Sequence, residues 1–368
     1  LNSDINLFAS FLPEWIILAG ALLTSFLITY ISIPSIVKIA KHKKLFDLPN
    51  ERTSHDNEVP VLGGLSIFAG LAISIVLFTS IAESSDIKFL LGGLIVLLFL
   101  GLKDDVLMID PRKKLAGQVI AAAIVVILGD IRIIYFHSIL GIESISYIPG
   151  VMITIFLFLT LINGFNLIDG VDGLSSGAGI LSGLFFSVWF MLCGNLTYAV
   201  ISLSITGALI AYFRFNVFGR RNKIFMGDTG SMITGMTIAF LAVKFLELAG
   251  DSHSKYNMTA APAVAFGVLI LPLFDILRIF LLRIFSGRSP FKADKGHVHH
   301  VLLRFGLSHL KVTSYMLTIN LFFLCLALLF QQAGSLAIIF IMLILSAVIV
   351  FILQRILKAR GIPSLNGH

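Results

Sequence analysis

Residues 161–177 read LINGFNLIDGVDGLSSG, and how this stretch is understood decides the fold. Two carboxylates, Asp169 and Asp172, stand here with Asn163 and Asn166, wedged between two strongly apolar runs. A charge so placed must find water, a metal, a cation or a substrate, so ionisable groups in or beside membrane spans mark functional sites by default. The glycines at 164, 170, 173 and 177 leave the backbone accessible to a polar ligand. A bent connection whose aspartates cap the following helix fits the same residues. The rest of the chain decides between the two.

Composition points to a membrane protein. Of 368 residues, 57% are hydrophobic and 13% charged, against roughly 25% charged in soluble domains. The net charge of +7 would suggest nucleic acid in a soluble protein. Here the Lys and Arg residues lie in short loops between apolar runs, so topology accounts for them and no nucleic-acid partner is expected. Cys193 and Cys325 fall inside apolar runs and make no CxxC or zinc pattern. The first apolar run has no basic start and no small-residue cleavage pattern, so it reads as a span rather than a signal peptide.

Eleven apolar runs are visible, at about 13–37, 61–82, 89–102, 115–129, 149–162, 174–194, 196–213, 230–248, 261–281, 314–331 and 334–354. The expectation is an all-α polytopic membrane protein of about 11 transmembrane helices, forming a single integral-membrane domain over residues 1–368. Several runs fall short of the ~20 residues of a full span, so they extend into the loops or cross a thinned region. With the N-terminus outside, all but Lys88, Arg132, Lys244 and Lys255 of the 27 Lys and Arg residues lie on the inner side, as the positive-inside rule requires. The C-terminus is then cytoplasmic. Asp104, Asp105, Asp169, Asp172, Asp228 and Asp294 all fall on that same side. Segment 130–148, rich in Ile, Tyr and Phe, suits a small outer hairpin.

The inner loops carry the polar chemistry. In KHKKLFDLPNERTSHDNEVPVLGG (41–64), the lysines suit positive-inside anchors, while Arg52 and His55, set beyond a proline and a turn, suit phosphate. The third run ends in GLKDD, with Asp104 and Asp105 at its mouth. Adjacent carboxylates repel, and a metal, a cationic surrounding or water at the helix end allows both to stay charged. Next comes PRKK, whose Arg112, Lys113 and Lys114 suit phosphate. In YFRFNVFGRRNKIFMGDTGS (212–231), Asn216 and a basic cluster precede Asp228, which sits at the mouth of the eighth run. Cations for phosphate oxygens and a carboxylate for a metal suit a magnesium-bound polyphosphate.

The last inner loop, FKADKGHVHHVLLRFG (291–306), brings His297, His299 and His300 together with Asp294, Lys295 and Arg304. Three histidines within four residues of a regular helix cannot all reach one zinc ion, so phosphate contact or proton transfer suits them better. Asp275 and Arg278, three residues apart on a helix face, are expected to pair. Together these loops describe a surface for magnesium and a phosphorylated soluble substrate, with a second substrate in the bilayer. Phosphoryl transfer needs charge neutralisation and positioning above all, so the chain reads as a membrane transferase.

The ordered set P-x-x-R-x-x-H and P-x-x-G-G at 49–64, D-D at 104–105, N-x-x-D-G-x-D-G-L at 166–174, F-M-G-D-T-G-S at 225–231 and H-x-H-H at 297–300 resembles the polyprenyl-phosphate N-acetylhexosamine-1-phosphate transferase family. The likeness covers residues 34 to about 305. It implies that an isoprenoid monophosphate attacks the sugar-linked phosphate of a UDP-N-acetylhexosamine and releases UMP. By the same resemblance Asp228 is the principal Mg2+ ligand, with Mn2+ as a substitute, and Asp169 lies close to the metal and diphosphate. Asp104 and Asp105 lie near the lipid phosphate with Lys114. Asp172 and Asn216 lie toward the nucleotide, and His297, His299 and His300 toward the sugar phosphate. Asn163, Asn166 and Arg304 complete the expected set of substrate contacts.

The first loop has PNERTSHDNEVPVLGG where pentapeptide translocases of the family carry a longer EGP-containing pattern, which favours UDP-GlcNAc over UDP-MurNAc-pentapeptide. GalNAc, QuiNAc and FucNAc donors stay open. The resemblance implies undecaprenyl phosphate as acceptor, a bacterial inner (plasma) membrane location and a start to cell-envelope polysaccharide assembly, of the O-antigen or teichoic-acid kind; a homodimer is left open. A secondary transporter would call for internal repeats and mid-membrane charges, and neither is evident. A CDP-alcohol phosphotransferase would need an Arg after Asp169–Gly170, where VDGLSSG stands.

Overall fold

A computed structural model describes residues 13–43, 46–47, 59–79, 85–250, 257–285, 287 and 297–361. The chain is a bundle of helices, here numbered α1 to α13: α1 (Glu14–Lys43), α2 (Gly63–Phe78), α3 (Ser85–Leu107), α4 (Pro111–Ala123), α5 (Tyr147–Ile168), α6 (Leu174–Leu192), α7 (Leu196–Phe218), α8 (Gly227–Ala249), α9 (Ala261–Val268), α10 (Ile270–Phe285), α11 (Val298–Arg304), α12 (His309–Leu329) and α13 (Ser335–Ala359). Over their described residues, all eleven apolar runs are largely helical. Among the described residues eight helices are long and apolar enough to cross a membrane, or nine if α9 and α10, bent by 87° about their junction, count as one span.

Two runs form helices shorter than a span. Helix α2 has 16 residues. Helix α4 has 13 residues and then widens into a π-turn at Ile124–Leu128. The expected hairpin forms from two strands, β3 (Tyr135–Ile139) and β4 (Ile142–Ser144), paired antiparallel. A second pair, β1 (Phe46–Asp47) with β2 (Val59–Pro60), lies between α1 and α2.

Helix α8 is the axis of the bundle. Its apolar window is 89% buried, against 22% for α13, which lines the periphery. Small residues let its neighbours approach to backbone contact, the usual device of helix packing in lipid. A Cβ on Gly64 of α2 would collide with the Gly230 backbone, and one on Gly101 of α3 with the Thr229 backbone. The P-x-x-G-G strip docks along the start of α8: Phe225 N–H donates to Pro60 O (2.8 Å), Gly63 N–H to Phe225 O (3.0 Å) and Gly64 N–H to Met226 O (2.9 Å).

The helices run alternately, so the ends of α3 and α5 meet the starts of α4, α8 and α12 on one face of the bundle. At the opposite end Lys244 of α8 lies 3.3 Å from Asp86 of α3 and 3.0 Å from Glu247, while Tyr198 of α7 donates to Asp86. This pins α3, α7 and α8 far from the acidic loops.

Candidate active site

The site begins with two turns that aim side chains. Helix α4 is capped by Asp110, whose Oδ1 accepts from Arg112 N–H (2.9 Å), with Pro111 at its first position, where the missing donor does no harm. That start puts Lys114 in the first turn, facing back to α3. Its ammonium lies 2.9 Å from Asp104 Oδ2 and 2.9 Å from Asp228 Oδ2. The other oxygen of Asp104 accepts from Ile109 N–H at 2.7 Å, which locks the α3–α4 turn. Asp228 Oδ1 takes the Asn166 amide, which also donates to Ser231 Oγ at 2.9 Å. Four residues from four separate stretches thus form one linked group, Asp104–Lys114–Asp228–Asn166.

Asp105 does a different job from its neighbour. Its Oδ1 accepts from Asp228 N–H (2.6 Å), and its Oδ2 accepts from the Thr229 N–H (3.2 Å) and hydroxyl (2.6 Å). The first N–H groups of a helix have no partner within it, and here a carboxylate from α3 supplies them. Gly227, at φ +69°, makes the fit possible, since a Cβ there would lie 2.7 Å from both Asp105 oxygens. Asp105→Asn removes one acceptor and the charge, so a loss of about 2 kcal/mol in stability is expected for hydrogen bonds of a charged group. Thermal unfolding of the detergent-solubilised protein measures it, and an unchanged transition would show that the cap contributes nothing.

Asp169 closes α5, half-buried, and no hydrogen bond or ion pair reaches its carboxylate among the described residues. Burial, then the negative charges of Asp228, Asp172 and Asp105, raise its carboxyl well above the ordinary carboxylate range. Of the groups in the site, this is the carboxylate most in need of a cation. Asp172 instead is tied in: Lys223 donates to its Oδ2 at 2.7 Å, its N–H donates to His309 Nδ1 at 3.2 Å, and Thr313 donates to its carbonyl at 2.8 Å.

The histidine cluster packs over the same turn, with His299 Nε2 against Gly170. The rings of His297 and His299 lie parallel with centroids 5.5 Å apart, and His300 is 4.4 Å from His299. Burial, reinforced by His300, lowers His299 to about 3, so it enters the site neutral. Asp275 pairs with Arg278 as expected, at 3.6 Å, and it also reaches His297, with 2.7 Å from Oδ2 to Nδ1.

Two expected contacts are held within the scaffold. Asn163 exchanges hydrogen bonds with Gln118 of α4 (2.9 and 3.3 Å) and donates to Leu159 O. Asn216 accepts from Gly173 N–H (2.7 Å) and donates to Ile224 O (3.0 Å), clamping the 169–174 turn to the strip before α8. Arg304 is exposed in the last turn of α11. Arg52, His55 and Asp294 lie outside the described residues. The sequence reading missed Gln118 and His309 and gave Lys223 no partner; His309 stands at the first position of α12 with only a preceding serine to mark it.

Magnesium fits this donor set. Among the described residues no three His, Cys, Asp or Glu side chains close a shell around one ion. Magnesium typically takes one or two carboxylates, with substrate phosphates and water completing the octahedron. Asp169 and Asp228 would supply those carboxylates.

An apolar bundle with an acidic, lysine-bridged mouth is the architecture of an integral-membrane protein with a polar site at one end. Residues 87–246 match glycosyl transferase family 4. The chain is 28% identical over 290 residues to the undecaprenyl-phosphate alpha-N-acetylglucosaminyl 1-phosphate transferase of Escherichia coli K12, covering 78% of this chain and 77% of that protein. It is 30% identical over 311 residues to the decaprenyl-phosphate N-acetylglucosaminephosphotransferase of Mycobacterium tuberculosis H37Rv, covering 79% and 76%. The chain belongs to glycosyl transferase family 4 and is a phosphoglycosyl transferase.

Proposed function

We propose that the protein transfers N-acetylhexosamine 1-phosphate, with GlcNAc as the sugar, from a UDP-sugar to undecaprenyl phosphate in a magnesium-dependent reaction at the cytoplasmic face of a bacterial inner membrane. The observation that carries this reading is the convergence of Asp104, Lys114, Asn166, Asp169 and Asp228 on one mouth, within a chain whose relatives carry such activities in their names. A phosphate oxygen of the lipid attacks the sugar-linked phosphorus, the bond to the UMP oxygen breaks, and UMP leaves. The bound magnesium would neutralise the diphosphate. Asp169 and Asp228 would hold it, and Lys114 would meet phosphate oxygens beside them.

A phosphate monoester has its second pKa near 6, so the attacking group is largely deprotonated at neutral pH and Asp104 orients rather than deprotonates it. Asp172, fixed by Lys223 and His309, lies toward the nucleotide, and the histidines toward the sugar phosphate. The product begins the assembly of a cell-envelope polysaccharide.

Purified protein with undecaprenyl phosphate, Mg2+ and a panel of UDP-sugars is expected to release UMP, fastest with UDP-GlcNAc, and to stop when EDTA removes the metal. No UMP from any donor would end the transferase reading; faster turnover of another sugar would reassign the donor.

A further inference from the structure

Asp275 is the one carboxylate of α10, 3% exposed, and it backs onto a groove lined by Leu271, Phe274, Met316 and Phe323. A carboxylate there is costly unless its oxygens are fully used. They are. Oδ1 accepts from Val298 N–H at 3.2 Å, at the start of α11, and Arg278 lies 3.6 Å from the same oxygen. Oδ2 lies 2.7 Å from Nδ1 of His297, itself 6% exposed. The carboxylate faces only donors, which leaves Nδ1 as the protonated nitrogen of His297 and Nε2 as the one remaining for a ligand.

We propose that Asp275 is a positioning residue for the histidine cluster: its two oxygens hold His297 with Nδ1 protonated and anchor the helix carrying His299 and His300, so that His297 meets the donor's sugar-linked phosphate through Nε2. The proposal rests on the transferase reading for the identity of that phosphate. The grip on Nδ1 is a property of the protein alone. A carboxylate behind a functional histidine fixes both ring orientation and tautomer. The bent α9–α10 element is thereby coupled to the mouth, because α10 carries Asp275 and α11 carries the rings.

Asp275→Asn separates capping from tautomer control. One carbonyl oxygen still accepts from Val298 N–H, but the amide then presents a donor to His297, whose Nδ1 must accept, moving the ring proton to Nε2. In 15N-histidine NMR of the full-length protein, His297, assigned by its loss in His297→Gln, is expected to show a protonated Nδ1 in the wild type and a bare Nδ1 in the variant. The variant's kcat for UMP release should fall about 10- to 100-fold, the range seen when such partners are removed. In the His297→Gln background Asp275→Asn should cause less than a twofold further loss.

An unchanged His297 spectrum in Asp275→Asn, or a loss that multiplies undiminished onto His297→Gln, would overturn the proposal and leave Asp275 as packing only. Wild-type protein that shows the Nδ1 proton but releases no UMP would instead count against the transferase reading and leave the grip on Nδ1 standing.

Discussion

Asp228→Asn is expected to lower the rate of UMP release by about a thousandfold or more, equivalent to roughly 4 kcal/mol of transition-state stabilisation. Asp228 is where the linked group converges, with Lys114 on one carboxylate oxygen and the Asn166 amide on the other. Asn keeps the size of the side chain but presents at most one neutral oxygen, which holds magnesium poorly. The start of α8 is spared, because the bonds to Asp105 come from the Asp228 backbone and from Thr229. The variant should therefore fold and fail. UMP release at saturating Mg2+, with gel filtration as the folding control, reads both. A rate within tenfold of wild type would remove Asp228 from the centre of the site.

What was legible in the sequence followed from the membrane as solvent. Leu, Ile, Val and Phe accumulate wherever a helix crosses or lines the bundle, so all eleven runs emerged as helices, and the Ile- and Tyr-rich segment 130–148 holds the hairpin at 135–144. The polar loops were visible because charge between spans is costly, and Asp104, Asp169 and Asp228 do share one mouth. Direction was not visible. Asp104 and Asp105 are adjacent in the chain, yet one faces Lys114 and the other caps α8, a division set by the 100° step between successive helical residues.

Asn163 and Asn216 sit in or beside acidic motifs but direct their amides to Gln118 and to the Gly173 and Ile224 backbone. The amide of an asparagine serves a scaffold as well as a substrate, and its type does not tell which. The Asp275–His297 pair spans 22 residues. Nearest-neighbour spacing on a helix pointed to Arg278, which does pair at 3.6 Å, while the closer imidazole arrives only because α11 returns beside α10.

Lys114→Met tests the electrical balance of the mouth. The ammonium is the cation between two carboxylates, and Asp104 has only 8% and Asp228 29% of its side chain exposed. Removing one partner from a buried ionic group leaves the others uncompensated, a loss of up to about 3–5 kcal/mol; the partial exposure of Asp228 and proton uptake by the pair reduce that to roughly 2–3 kcal/mol in metal-free protein. A divalent cation supplies the missing positive charge, so millimolar Mg2+ should restore much of the thermal stability that EDTA exposes as lost. Turnover should not recover with it. In the proposed reaction Lys114 would meet phosphate oxygens, and removal of such a preorganised charge lowers kcat by about 10²–10³-fold. Unfolding curves with and without Mg2+, taken beside UMP release, separate the two effects. Equal destabilisation under both conditions would show that the cation does not settle among these carboxylates.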